Sequence, residues 1–171
     1  MKIRTILSGL AVSIGLFAIA DTPLEAQPAY TINFGTVAPT GTPWSDQLAS
    51  LKKRIESQSQ GQIKVKLFLG GALGSEIEMI QDVQRGERLQ GGGFSTGAVG
   101  EALDIPILQM VELPYLFNNE KQADAVLDDV LYEPTKSALA SKGITFYAWT
   151  ENGWRSFATK GGPATSPEEL R

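Results

Sequence analysis

The stretch Ile63-Lys-Val-Lys-Leu-Phe-Leu69, running on through Gly70-Gly-Ala-Leu-Gly74 into Ser75-Glu-Ile-Glu78, decides the fold. Its first part alternates apolar and charged residues, the period of a half-buried strand. The glycines that follow turn the chain tightly. Ser75 then stands three residues before Glu78, a reciprocal cap that opens a helix. Ile77, Ile80 and Val83 fall on one face of that helix, and Gly86 stops it. The stretch is a strand, a short loop and a helix.

The same order precedes it. Residues 30–37 alternate as a strand through Tyr30, Ile32 and Phe34. A Pro/Gly-rich loop follows, and Thr42 with Pro43 begins a helix. Trp44, Leu48, Leu51 and Ile55 recur at steps of four, three and four, which predicts one buried face. Gly61 ends this helix. Two consecutive strand–helix units with short loops predict an α/β fold with a mostly parallel sheet and helices on both faces.

Residues 89–94 should form the third strand, weakened by Gly91, Gly92 and Gly93. Two readings suit these glycines: close approach of backbone to a ligand, or tight packing of a helix on the sheet. Ser95-Thr-Gly-Ala98 starts a helix at the C-terminal edge of the sheet, where ligands bind in open α/β folds. A nucleotide is not indicated. GxxxxGK[ST] is absent, and Thr96 stands where GxGxxG needs its third glycine.

Residues 105–117 read as an extended apolar segment punctuated by prolines. Residues 120–131 predict a helix capped by Asn118 or Asn119, with Ala123, Val126, Leu127 and Val130 inside. Residues 134–142 predict another, stopped by Gly143. Ile144-Thr-Phe-Tyr-Ala-Trp-Thr-Glu-Asn-Gly-Trp-Arg155 then reads as two strands joined by a Glu-Asn-Gly bend. Arg155 lies between Trp154 and Phe157. A guanidinium there offers a planar fork suited to a carboxylate. The competing reading pairs it with an internal acid such as Glu151.

Composition bounds the chemistry. The chain has 171 residues, 42% of them hydrophobic and 20% charged, with a net charge of −4. That balance fits a folded domain and argues against nucleic acid, whose phosphates need a basic footprint. It has no His and no Cys. Ser-His-Asp and Cys-His nucleophiles, His or Cys metal sites and disulfides are therefore excluded within this chain. No cofactor motif is present, and no metal ligand set is expected.

Residues 1–26 read as a secretory signal peptide: Lys2 and Arg4, an apolar run over residues 6–20, and Leu24-Glu25-Ala26 before the cut. Cleavage after Ala26 is favoured, with an uncleaved anchor as the alternative. At the other end, Ser166, Pro167 and Glu169 form a helix-start signal followed by the last residue, Arg171. Residues 27–171 are thus expected to be a fragment that ends at the start of a helix.

Several stretches together carry a family resemblance: Ala38-Pro-Thr-Gly-Thr-Pro-Trp44, Gly71-Ala-Leu-Gly-Ser-Glu76, Phe94-Ser-Thr-Gly97, Glu112-Leu-Pro-Tyr-Leu-Phe117, Glu151-Asn-Gly-Trp-Arg155 and Thr165-Ser-Pro-Glu-Glu-Leu170. In this order they resemble the N-terminal half of the periplasmic solute-binding subunits of tripartite ATP-independent periplasmic (TRAP) transporters, of the C4-dicarboxylate-binding type. The resemblance implies a two-lobed binding protein that closes on an organic acid and passes it to a sodium-driven membrane partner. It implies that Arg155, in the Asn152-Gly-x-Arg stretch, holds the ligand carboxylate. It implies, less directly, that Glu76, Phe94 and Ser95 line the cleft. Trp44 follows the first-strand loop and is either a cleft residue or a core anchor of its helix. Two departures stand out: the chain stops at Arg171 before the family's Gly-Leu-Lys-x-Arg segment, which makes residues 27–171 an incomplete first lobe in this resemblance, and Arg88-Leu-Gln-Gly replaces the usual Ile-Asp-Met-like entry to strand three. No catalysis is implied. The alternatives are an exported hydrolase using carboxylates such as Glu76 and Glu151, and a receptor fragment without activity.

Overall fold

Three strands of a parallel sheet set the frame. In this computed structural model, residues 28–151, 153, 159–162 and 164–170 are described. β1 (Tyr30–Gly35) lies at the centre of the sheet, with β2 (Ile63–Phe68) on one side and β3 (Gly91–Gly92) on the other. Tyr30 pairs with Ile63 and Gly35 with Phe68, while Phe34 and Gly35 pair with Gly91 and Gly92. The predicted parallel α/β architecture is present.

α1 (Pro43–Gln58) connects β1 to β2, and α2 (Glu76–Arg85) connects β2 to β3. These crossovers run in opposite directions across the sheet. Right-handed connection therefore places the two helices on opposite faces. Both helices start as their sequences require. Thr42 is extended and accepts from Ser45 N, and the Ser45 hydroxyl oxygen accepts from Thr42 N at 3.1 Å. Ser75 accepts from Glu78 N, and Glu78 answers at Ser75 N at 2.8 Å. α2 ends at Gly86 in the left-handed region, φ 67°, where a side chain would be strained.

Strand three is only two residues long, shorter than the six expected. Gln90 N donates to Asn33 O, and the Gln90 side chain accepts from Asn33 N at 3.0 Å. The ladder is thus prolonged by a side chain where the backbone diverges. Arg88 is drawn away to the carboxylate of Asp82, 2.5 Å off, which Arg85 also holds at 2.8 Å. Asp82 is buried, so the inward face of α2 consists of Met79, Ile80 and a charge clamped by two arginines.

Beyond the sheet, the expected extended segment is helical in part. α3 (Thr96–Leu103) is followed by α4 (Pro106–Met110), because Pro106 pre-sets the first helical turn. α5 (Glu120–Ala125) is capped by Asn119, whose side chain accepts from Gln122 N at 2.9 Å. The predicted helix then continues as a π-helical turn, Val126–Leu131, before α6 (Tyr132–Ser141). Widening the turn alters the facing, so Val130 is exposed rather than inside. Leu51 of α1 is likewise exposed.

The main core joins Ile80, Leu103, Ile105, Leu108 and Leu139, with Phe94, Ile144, Phe146 and Trp149 packed against it. Residues 144–150 carry no strand pairing, contrary to expectation. Ile144 and Phe146 nevertheless turn inward with the predicted period of two, and Trp149 follows them in. Trp149 Nε1 donates to Leu127 O at 3.0 Å, and the rings of Phe146 and Trp149 meet edge to face at 4.8 Å. Arg155 in the second predicted strand, and Asn152 in the bend before it, lie outside the described residues. At the chain's far end Pro167–Leu170 forms a single 3₁₀ turn. There the Glu169 carboxylate accepts from Thr165 N, one residue before the cap expected at Ser166.

Candidate functional site

The strand order β2-β1-β3 puts a topological switch point at the C-terminal ends of β1 and β3, the position at which open α/β sheets bind ligands. The loops after β1, β2 and β3 all open there, and so do the first turns of α1, α2 and α3.

Loop backbones tie this mouth together. Gly71 N donates to Thr36 O at 3.0 Å, and Gly70 N donates to Ala38 O at 2.9 Å. Thr36 is fully buried, and its side-chain oxygen accepts from Ala38 N at 3.2 Å. Trp44, in the first turn of α1, leans across the mouth onto Gly93 and is half-buried. Phe94 packs on the core cluster.

Glu76 and Ser95 are brought together although 19 residues separate them. Ser95 N donates to Glu76 Oε1 and the Ser95 hydroxyl to Glu76 Oε2, both at 2.7 Å. Ser95 is the N-cap of α3 and makes no cap bond with its own side chain. The capping is done from α2 instead. A second acid completes the arrangement: Glu112 Oε1 accepts from the Thr96 hydroxyl at 2.8 Å and from Gly97 N at 2.9 Å. Sequence reasoning gave Glu112 no role of its own. No local pattern marks it, since the bonds span 15 and 16 residues.

Each of the first three helices at this edge therefore has part of its start met by the protein. Thr42 and Ser45 serve α1, Ser75 and Glu78 serve α2, and Glu76 and Glu112 serve α3. Backbone and hydroxyl hydrogen bonds from Ser75 hold the Glu78 carboxyl below its ordinary range. Among the described residues no group of His, Cys, Asp or Glu is set to hold a metal ion. Four of the six candidate residues, Trp44, Glu76, Phe94 and Ser95, thus gather at one mouth. The other two, Asn152 and Arg155, lie outside the described residues. Glu151 is described and exposed, but it has no described contact with Glu76.

A sequence model described as bacterial extracellular solute-binding protein, family 7, matches residues 34–171. The chain is 28% identical to the 2,3-diketo-L-gulonate-binding periplasmic protein of Escherichia coli, over 100% of this chain and 50% of that protein. It is 25% identical to the C4-dicarboxylate-binding periplasmic protein of Rhodobacter capsulatus, over 99% of this chain and 50% of that one. Among solved structures, a TRAP periplasmic solute-binding protein from a Polaromonas species, bound to D-erythronate, superposes with a TM-score of 0.65. It is 30% identical and covers 72% of this chain and 40% of its own. The sugar acid binding protein of Advenella mimigardefordensis, in complex with galactonate, gives 0.61 at 32% identity, over 68% of this chain and 36% of its own. The chain spans about half the length of the relatives it matches.

Proposed function

The chain belongs to family 7 of the bacterial extracellular solute-binding proteins, and from that membership we propose that it forms the first lobe of a periplasmic receptor for an organic acid. In this reading residues 1–26 direct export and residues 27–171 make up the lobe. Arg155 binds the ligand carboxylate, with Asn152 beside it. Trp44, Glu76, Phe94 and Ser95 border the ligand. The receptor delivers its cargo to the membrane subunits of a sodium-driven TRAP transporter.

One observation carries the proposal. Trp44, Glu76, Phe94 and Ser95 stand at the C-terminal edge of β1 and β3, where Glu76 and Ser95 are hydrogen-bonded and the described helix starts are partly capped by protein groups. In this reading the ligand carboxylate takes its cation from Arg155, which follows in sequence on the segment anchored by Trp149. The relatives that bind erythronate, galactonate and 2,3-diketo-L-gulonate support an acid bearing hydroxyl or keto groups.

Affinity should require more than this wall. A charge-assisted hydrogen bond contributes ~1.5–3 kcal/mol, whereas micromolar binding needs about 8 kcal/mol. The 171-residue chain should therefore bind sugar acids negligibly. The same chain joined to the second half of the Escherichia coli relative should bind at micromolar concentration. Isothermal calorimetry on both proteins is the test. Tight binding by the short chain contradicts the two-lobed reading, and silence of a folded joined protein toward every acid contradicts the receptor reading.

A further inference from the structure

Among the described residues β2 is an edge strand, paired with β1 on one side only. The ladder to β1 uses its even-numbered neighbours: Tyr30 N donates to Gln62 O and Thr36 N to Phe68 O, both at 3.0 Å. Ile63, Val65 and Leu67 therefore turn their N–H and C=O groups outward. An open row of this kind is a template on which another chain can pair.

Two of the three outward donors are taken by side chains. Ile63 N donates to the Ser59 hydroxyl oxygen at 3.1 Å, and Val65 N donates to Glu56 Oε1 at 3.0 Å. Ser59 caps the end of α1, so its bond belongs to the turn into β2. Glu56 comes from within α1 and reaches the middle of the open edge. Lys64 Nζ stands 3.6 Å from the same carboxylate oxygen. The Val65 N–H is the chief influence holding the Glu56 carboxyl below its ordinary range, with Lys64 and Lys52 adding to it.

The lysines of β2 are an independent observation. Lys64 and Lys66 are both exposed and share one face of the strand. A second copy meeting this edge antiparallel about Val65 would be self-complementary, with each Val65 exchanging both backbone bonds with its counterpart. The same register sets Lys64 opposite Lys66 of the second copy, like charge against like.

We infer that Glu56 is a guard on the open edge of β2: it occupies the Val65 donor that pairing with the β2 of a second copy requires, and Lys64 and Lys66 oppose that copy in the same register. The inference does not rest on the receptor reading. Glu56 keeps the edge closed from within the chain, by a side chain that no extended strand can displace without leaving a carboxylate unpaired.

The test combines amide hydrogen exchange with sedimentation of the chain at neutral pH. In the wild type the Val65 amide should be protected like the ladder amides of Lys64 and Lys66, and the chain should stay monomeric. Glu56→Ala should speed exchange at Val65 roughly tenfold or more, with Lys64 and Lys66 unchanged. Equal acceleration of all three amides would make Glu56 a staple of α1 alone and overturn the inference. Glu56→Gln keeps an accepting oxygen and should retain most of the protection. Lys66→Glu turns the repulsive pair into an attractive one. Alone it should remain monomeric, because Glu56 still holds Val65. Combined with Glu56→Ala it should dimerise, with Val65 protection returning as concentration rises. Dimerisation of Lys66→Glu alone, or a folded double variant that stays monomeric, overturns the inference. Should Glu56→Ala fail to fold, wild-type exchange and Lys66→Glu decide: a freely exchanging Val65 amide, or a Lys66→Glu dimer, overturns it, and a protected amide in a monomeric Lys66→Glu chain upholds it.

Discussion

The indole of Trp44 rests on the backbone of Gly93, so closely that a Cβ at Gly93 would lie 2.7 Å from the indole nitrogen. Gly93 N also donates to Gly35 O at 3.2 Å. The first turn of α1 and the exit of β3 are thus in direct contact. Gly93→Ala should push the indole aside and destabilise the fold by ~1–3 kcal/mol, the usual cost of overpacking. A urea titration measures the loss. An unchanged midpoint would remove Trp44 from this contact.

Asp82 binds Arg85 and Arg88 while itself buried. Both arginines are about half exposed, so solvent screens much of the attraction. Asp82→Ala leaves a void and frees Arg88, whose backbone oxygen accepts from Asn33 Nδ2 at 3.0 Å. A loss of ~1–3 kcal/mol is expected, with earlier hydrogen exchange at Gly91 and Gly92. Exchange there that stays unchanged while stability falls would uncouple the ion cluster from strand three.

Stability should fall in acid for identifiable reasons. Glu56 is held below its ordinary value of 4.5 chiefly by the hydrogen bond from Val65 N, and Glu78 chiefly by that from Ser75 N. A carboxyl with a depressed folded-state pKa stabilises the fold above its unfolded value and loses that contribution as pH falls through the folded one. The loss therefore begins below about pH 4.5. Glu56→Gln combined with Glu78→Gln should flatten the dependence in that window. Equal slopes for wild type and double variant would refute the assignment.

In a protein competent to bind, Arg155→Ala should cost ~2–5 kcal/mol of affinity for the acid, because the ligand charge is left desolvated and unpaired. Calorimetry reads the change directly. An affinity equal to that of the parent would take Arg155 out of the site.

Much of the frame could be read from the chain because its signals are local. Thr42-Pro43, Ser75 with Glu78, and Gly86 each specify a helix end within four residues, and each end stands where expected. The strands Tyr30–Gly35 and Ile63–Phe68 followed from alternation. Where contacts are distant, the sequence was mute. Nothing near Glu112 shows that it serves Gly97, and nothing near Arg88 shows that Asp82 will claim it. Pro106 read as a break and proved to be a start, since proline suits the first helical turn as well as an extended chain. Val130 faced inward on an α-helical count and outward once the π-helical turn intervened.

That wide turn has a further consequence. Each residue of an α-helix advances the chain by about 100°, so the spacing between Asn119 and Leu139 is a phase setting as well as a length. A π-helical turn holds about one residue more than an α-helical one, so removing one residue from 126–131 would restore an ordinary spiral with its flanks near their present phase. Driving all six residues into an α-helix with nothing removed would instead rotate everything after them by roughly 100°. Leu139 would then leave the hydrophobic cluster, and the hold of Leu127 on Trp149, which leads to Arg155, would be lost.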